Sequence, residues 1–85
     1  VRHSIISTGS IVEAGAQVSD SVIMPNVHIE SGAIIRNAII GEDCCICANA
    51  VVGGVFADPA ERKISVVGNG ERVEANETVA PGEIR

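Results

Sequence analysis

The chain has 85 residues, 46% of them apolar, with one Phe, no Trp or Tyr, and a formal net charge of −5. That length makes one small domain at most, and six Lys and Arg against eleven Asp and Glu leave no basic surface to neutralise nucleic-acid phosphates. No stretch approaches the roughly 20 apolar residues of a membrane-spanning helix, and no signal-peptide pattern opens the chain.

The apolar stock is Ile, Val and Ala, without any Leu. Branching at Cβ stiffens χ1 and suits a pleated surface, so the composition reads as β, with a narrow interior filled by branched aliphatics. The three Cys are crowded into Cys44-Cys45-Ile46-Cys47 rather than spaced as a disulfide framework, which favours a reducing, cytoplasmic setting. The chain starts at Val1, without Met and already inside a repeat, and is expected to be a piece of a longer protein.

Three 17-residue segments follow one another without gaps. The first is Ile6 to Val22 (ISTGSIVEAGAQVSDSV), with Ile6, Val12 and Val18 at its repeating places. The second, Ile23 to Ile39 (IMPNVHIESGAIIRNAI), puts Ile23, Ile29 and Ile35 there. The third, Ile40 to Phe56 (IGEDCCICANAVVGGVF), puts Ile40, Ile46 and Val52 there. All are branched aliphatics at steps of six, six and five, so each unit supplies one short strand and one turn, and three units make a triangular coil.

Alternation along a strand turns the residue two before each aliphatic inward as well. Those places hold Ser10, Val27 and Cys44, then Ala16, Ala33 and Ala50, then Ser21, Ala38 and Val55, all small or medium. The corner places hold Gly9, Asn26 and Asp43, then Gly15, Gly32 and Asn49, then Asp20, Asn37 and Gly54. Gly, Asn and Asp enter positive φ most cheaply, as a sharp corner demands.

The step from Val52 to Val67 is fifteen rather than five, and the polar, Pro-containing stretch between them predicts a loop extruded from a corner at about 56–63. A fourth coil then returns with Val67, Val73 and Val79, and with Gly70, Asn76 and Gly82 at its corners. Its inward small places carry Glu71, Glu77 and Glu83. Buried carboxylates are costly, so these are expected at the open end of the helix, blunting its edge. The fold class is therefore all-β: a parallel β-helix of hexapeptide repeats, about four triangular coils over residues 1–85.

The same register sorts the outward residues. The first face shows Ile5, Val22, Ile39 and Val66 with Met24 beside them, an apolar stripe that predicts an interface with another domain or subunit. The second shows Ile11, His28, Cys45 and Arg72 beside Glu13, Glu30, Cys47 and Glu74. The third shows Gln17, Ile34, Val51 and Thr78 beside Ser19, Arg36, Gly53 and Ala80.

Chemistry is sparse. Alternation points Cys44 inward and Cys45 and Cys47 outward, and no further ligand pair follows at zinc spacing, so no metal site is expected. His3 and His28 are one short of a three-His zinc site. His28 alone is a candidate general base of a coenzyme A-dependent acyltransferase, set against its bland role as a solvated surface residue. Arg2, His28 and Arg36 are candidate contacts for a phosphorylated effector, few and scattered. No catalytic or cofactor-binding residue is assigned.

Ser21 to Ile29 (SVIMPNVHI), Ala38 to Asp43 (AIIGED) and Ile64 to Gly68 (ISVVG), in this register, resemble the C-terminal region of bacterial glucose-1-phosphate adenylyltransferase. The resemblance implies a left-handed coil, against the usual right-handed crossover. It implies an N-terminal Rossmann-like domain, absent here, that makes ADP-glucose and pyrophosphate from ATP and glucose 1-phosphate with Mg²⁺ for glycogen synthesis. It also implies that the β-helix packs on that domain, assembles a homotetramer and helps form effector sites. The family's nucleotide loop has no counterpart in these residues, so the chain alone is expected to be non-catalytic. An acyltransferase with His28 as base and a related sugar-1-phosphate nucleotidyltransferase are the alternatives.

Overall fold

A computed structural model describes residues 4–54, 60 and 63–85. The first coil holds β1 (Ile5–Ile6), β2 (Ile11–Val12) and β3 (Gln17–Ser19). The second holds β4 (Val22–Ile23), β5 (His28–Ile29) and β6 (Ile34–Arg36). The third holds β7 (Ala38–Ile40), β8 (Cys45–Ile46) and β9 (Val51–Gly53), and the fourth β10 (Ser65–Val67), β11 (Arg72–Val73) and β12 (Thr78–Val79).

Every third strand stacks on the one before. The three parallel sheets run β1-β4-β7-β10, β2-β5-β8-β11 and β3-β6-β9-β12. Ile5 pairs with Val22 and Val22 with Ile39, a step of 17. Ile39 then pairs with Val66, a step of 27, so the interruption adds ten residues without disturbing the register. The result is the left-handed parallel β-helix of four coils.

Ile23, Ile29, Ile35, Ile40, Ile46, Val52, Val67, Val73 and Val79 are wholly buried and form one core, with Ile6, Val12 and Ala16 closing it less completely at the first coil. Ala33, Ala38 and Ala50 fill the inner corners. Because the interior is only one side chain deep on each face, branched aliphatics fill it and no aromatic is needed.

Eleven of the expected corner residues take positive φ, from Asp20 and Asn37 at 50° to Gly15 at 87°. The exception is a correction: the left-handed residue of the third corner in coil three is Gly53 (φ 79°), not Gly54. Gly53 faces Arg36 across the sheet, and a Cβ there would run into the Arg36 carbonyl oxygen. The left-handed residue thus comes one place earlier than Asp20 and Asn37 in the preceding coils, just ahead of the ten-residue interruption.

Val55 and most of the loop expected at about 56–63 lie outside the described residues, as do Arg2 and His3. Ser65, two before Val67, is fully buried opposite Ala38 and takes the inward place of the returning coil. Glu71 is exposed and Glu77 and Glu83 are half-buried on the last coil, at the end of all three sheets, so no carboxylate enters the core. A fifth rung begins where Ile84 bridges Val66.

Candidate functional site

The first face carries an unbroken column of aliphatics in one parallel register, Ile5, Val22, Ile39 and Val66, with Met24 half-buried beside it. Ile84 extends it at the last rung. Ile5 is 64% exposed, Ile39 40% and Ile84 75%, although the core behind them is already complete. Alternation explains why they point out, but strand propensity alone does not require Ile at three of five such rungs.

The second face is polar and repeats a single device. Glu13 follows β2 and Glu30 follows β5, one coil apart. Glu13 Oε1 accepts the Ser31 N–H at 3.1 Å, and Glu30 Oε1 accepts the Ala48 N–H at 3.1 Å. Each carboxylate thereby catches a corner N–H one coil further on, with its other oxygen turned along the face. Glu13 Oε2 meets His28 Nε2 at 2.5 Å, and Glu30 Oε2 accepts the Cys45 thiol at 3.9 Å. His28, with help from the Ser31 N–H, holds the Glu13 carboxyl below its ordinary value.

Cys45 and Cys47 lie on the same side of β8 with their Sγ atoms 3.9 Å apart. Cys45 is half-buried and Cys47 is buried, although alternation directs both outward. Burial first, then the Cys47 thiol, then Glu30, push the Cys45 thiol up to about 11. One rung on, Arg72 Nε donates to Glu74 Oε2 at 3.2 Å, which closes the ladder.

Cys44 points inward and plays the part of Ser10. Its thiol donates to the Gly68 carbonyl at 2.9 Å, as the Ser10 hydroxyl donates to the Met24 carbonyl at 2.7 Å in the first coil. Desolvation raises its thiol.

His28 and Arg36 stand on different sheets, β5 and β6, so the structure does not bring these two candidate effector contacts into one cluster. Arg2 lies outside the described residues. A carboxylate orients the His28 imidazole, as a general base requires, but on an open sheet face where the side chain is 44% exposed. Sequence reasoning missed the convergence of Glu30 with Cys45 and Cys47. The residues lie fifteen and seventeen apart, and only the stacking of coils brings them together.

A family model described as GlmU-like, C-terminal hexapeptide, matches residues 1–73. The chain is 41% identical to glucose-1-phosphate adenylyltransferase 2 of Alkalilimnicola ehrlichii over 61 residues, 72% of this chain and 14% of that protein. It is 43% identical to the glucose-1-phosphate adenylyltransferase of Corynebacterium jeikeium over 53 residues, 62% of this chain and 13% of that protein. Similarity extends to the probable mannose-1-phosphate guanyltransferase of Schizosaccharomyces pombe, 54% identical over 53 residues, 61% of this chain and 13% of that protein. The chain therefore matches a small part of the length of each. No solved structure matches it.

Proposed function

Because the chain belongs to the GlmU-like C-terminal hexapeptide family, we propose that it is the β-helical assembly domain of a sugar-1-phosphate nucleotidyltransferase, a glucose-1-phosphate adenylyltransferase in particular. The relatives named for that activity, at 41% and 43% identity, support the enzyme class. The apolar column Ile5, Val22, Ile39, Val66 and Ile84 supports the role. Its exposed side chains Ile5, Ile39 and Ile84 gain by leaving water, at roughly 25 cal/mol per Å² buried.

In this proposal the reaction, joining the sugar 1-phosphate to a nucleotide with release of pyrophosphate, belongs to a catalytic domain outside these residues. That domain would hold ATP and Mg²⁺. The β-helix would supply a rigid flank on which it packs and through which subunits assemble in the cytoplasm. A regulatory role would require a phosphorylated effector, and Arg36 and His28, on separate faces, would contribute to such a site only one at a time.

The 54% identity to a mannose-1-phosphate guanyltransferase favours a second nucleotide and sugar. Assaying the intact protein with ATP and glucose 1-phosphate against GTP and mannose 1-phosphate decides between them. Turnover with neither pair would overturn the enzyme class, and an acetyl-coenzyme A-dependent transfer lost on His28→Ala would establish the acyltransferase alternative.

A further inference from the structure

We propose that Glu30, Cys45 and Cys47 form a binding site for a thiophilic divalent cation, Zn²⁺ in the first place, on the second face of the β-helix. The donor atoms Glu30 Oε, Cys45 Sγ and Cys47 Sγ all lie within 4.8 Å of one another. A tetrahedral zinc ion with Zn–S near 2.3 Å sets its sulfur ligands about 3.8 Å apart. The observed Cys45–Cys47 separation is 3.9 Å, and Cys45 to Glu30 Oε2 is also 3.9 Å. The donors already stand near the corners of a coordination polyhedron, and an ion between them needs no change of fold.

The donors are also held in place. Cys45 belongs to β8, paired on one side to His28 and on the other to Arg72, so neither neighbouring coil lets it drift. Glu30 Oε1 is fixed by the Ala48 N–H, which leaves Oε2 for the ion. That is the outer-shell bond that orients a ligating carboxylate. Cys47 is buried against the sheet while Cys45 is half-exposed, so the ion enters past Cys45 and water takes the fourth position.

Two sulfur donors and a carboxylate oxygen face one another across this small space, with Cys45 Sγ 3.9 Å from both Cys47 Sγ and Glu30 Oε2. Arg72 lies beside the thiols, but its Nε is engaged by Glu74 at 3.2 Å. Binding releases the thiol protons and puts a positive charge between the donors. The comparable place one coil earlier shows the same logic with another partner, since there Glu13 Oε2 faces His28.

Titrating the intact, reduced protein with Co²⁺ tests the site, because thiolate-to-cobalt charge-transfer absorption reports sulfur ligation alone. One equivalent is expected to produce the band. Cys45→Ser and Cys47→Ser should each abolish it, and Glu30→Gln should weaken binding by about tenfold or more, at least the loss seen when even an outer-shell partner is removed. Cys44→Ser should keep the band and the fold, since Ser10 already serves at the equivalent place. Zn²⁺ should displace Co²⁺ and raise the Tm of the parent protein but not of Cys45→Ser. Absence of the band from the parent protein, its survival in the Cys45→Ser, Cys47→Ser double variant, or unchanged affinity in Glu30→Gln would each overturn the three-donor site.

Discussion

The Ser21 hydroxyl oxygen accepts the backbone N–H of Ala38, seventeen residues on, at 3.2 Å while donating to the Ser19 carbonyl at 2.8 Å. The contact recurs at the same interval: Ser4 accepts from Ser21, Ser10 from Val27 and Ser65 from Gly82. At a corner the chain turns out of the ladder and its N–H loses the carbonyl that a straight strand would offer. A small inward hydroxyl one coil back replaces that acceptor inside the core, where an unpaired N–H is costly.

Ser21→Ala should therefore cost about 1–3 kcal/mol, the penalty of a buried donor left without a partner. Cavity loss contributes little, since only one atom goes. Chemical denaturation should show a lower midpoint with an unchanged slope. A midpoint equal to that of the parent would mean that the corner relaxes to find another acceptor.

Asn26 sits at a corner with φ 62°, under Gly9 of the preceding coil. A residue with an ordinary Cβ pays about 1–2 kcal/mol to stay there. Asn26→Ala should lose about that much, and Asn26→Gly should cost much less, because Gly enters the left-handed region freely. Thermal melts of the two variants check the order. Equal losses would point to the Asn26 side chain, not its backbone, as the source.

The core was legible in the sequence because one rule, alternation at fixed steps, decides it: every Ile or Val at the repeating place of coils two to four is wholly buried. What lay beyond the rule depends on neighbours across coils. Alternation gave Cys47 as outward, which it is, yet Glu30, Cys45 and the Arg72–Glu74 pair surround it, and exposure follows from their reach rather than from direction. The serine contacts were hidden for the same reason, since Ser10 and Ser21 entered the sequence argument only as small residues. Gly53 displaced Gly54 as the turning residue just ahead of the interruption, and Ile84 joined the apolar column because the chain starts a fifth rung.

The last coil should be the most acid-labile. Arg85 lies across its open end, paired to Glu83 Oε2 at 2.8 Å and Glu77 Oε2 at 2.7 Å. Arg85, and the Ala80 N–H after it, hold the Glu83 carboxyl below its ordinary 4.5, while the Glu74 N–H and then Arg85 do the same for Glu77. A carboxyl lowered in the folded state contributes stability that is fully present above the unfolded value and is lost as pH falls through the folded one. Hydrogen exchange at Val66, Gly68 and Arg85 should accelerate below about pH 4.5, before exchange at the Ile23 and Ile40 rungs does. Arg85→Ala should remove most of that difference. Uniform acceleration along the whole helix would contradict a local origin.

Folding and association rest on different side chains, and two substitutions, one at an inward and one at an outward position, should show it. Ile29 is wholly buried, so Ile29→Asp places an unpaired charge in a one-residue-thick core. The cost, about 4 kcal/mol or more, is comparable to the stability of a domain this small, and the β-sheet circular dichroism should be lost. Ile39 points the other way and is 40% exposed between Val22 and Val66. Ile39→Glu should stay within about 0.5 kcal/mol of the parent in folding, as surface substitutions do. In the intact protein it should weaken subunit or domain association by about tenfold or more, because the carboxylate would have to be desolvated at the centre of the column. Ile11→Glu, at an outward position 54% exposed on the second face, is the control and should leave assembly unchanged. Sedimentation of the three proteins at matched concentration gives the answer. An oligomer of unchanged size and affinity in Ile39→Glu, or equal weakening by Ile11→Glu, would show that the first face is not where assembly occurs.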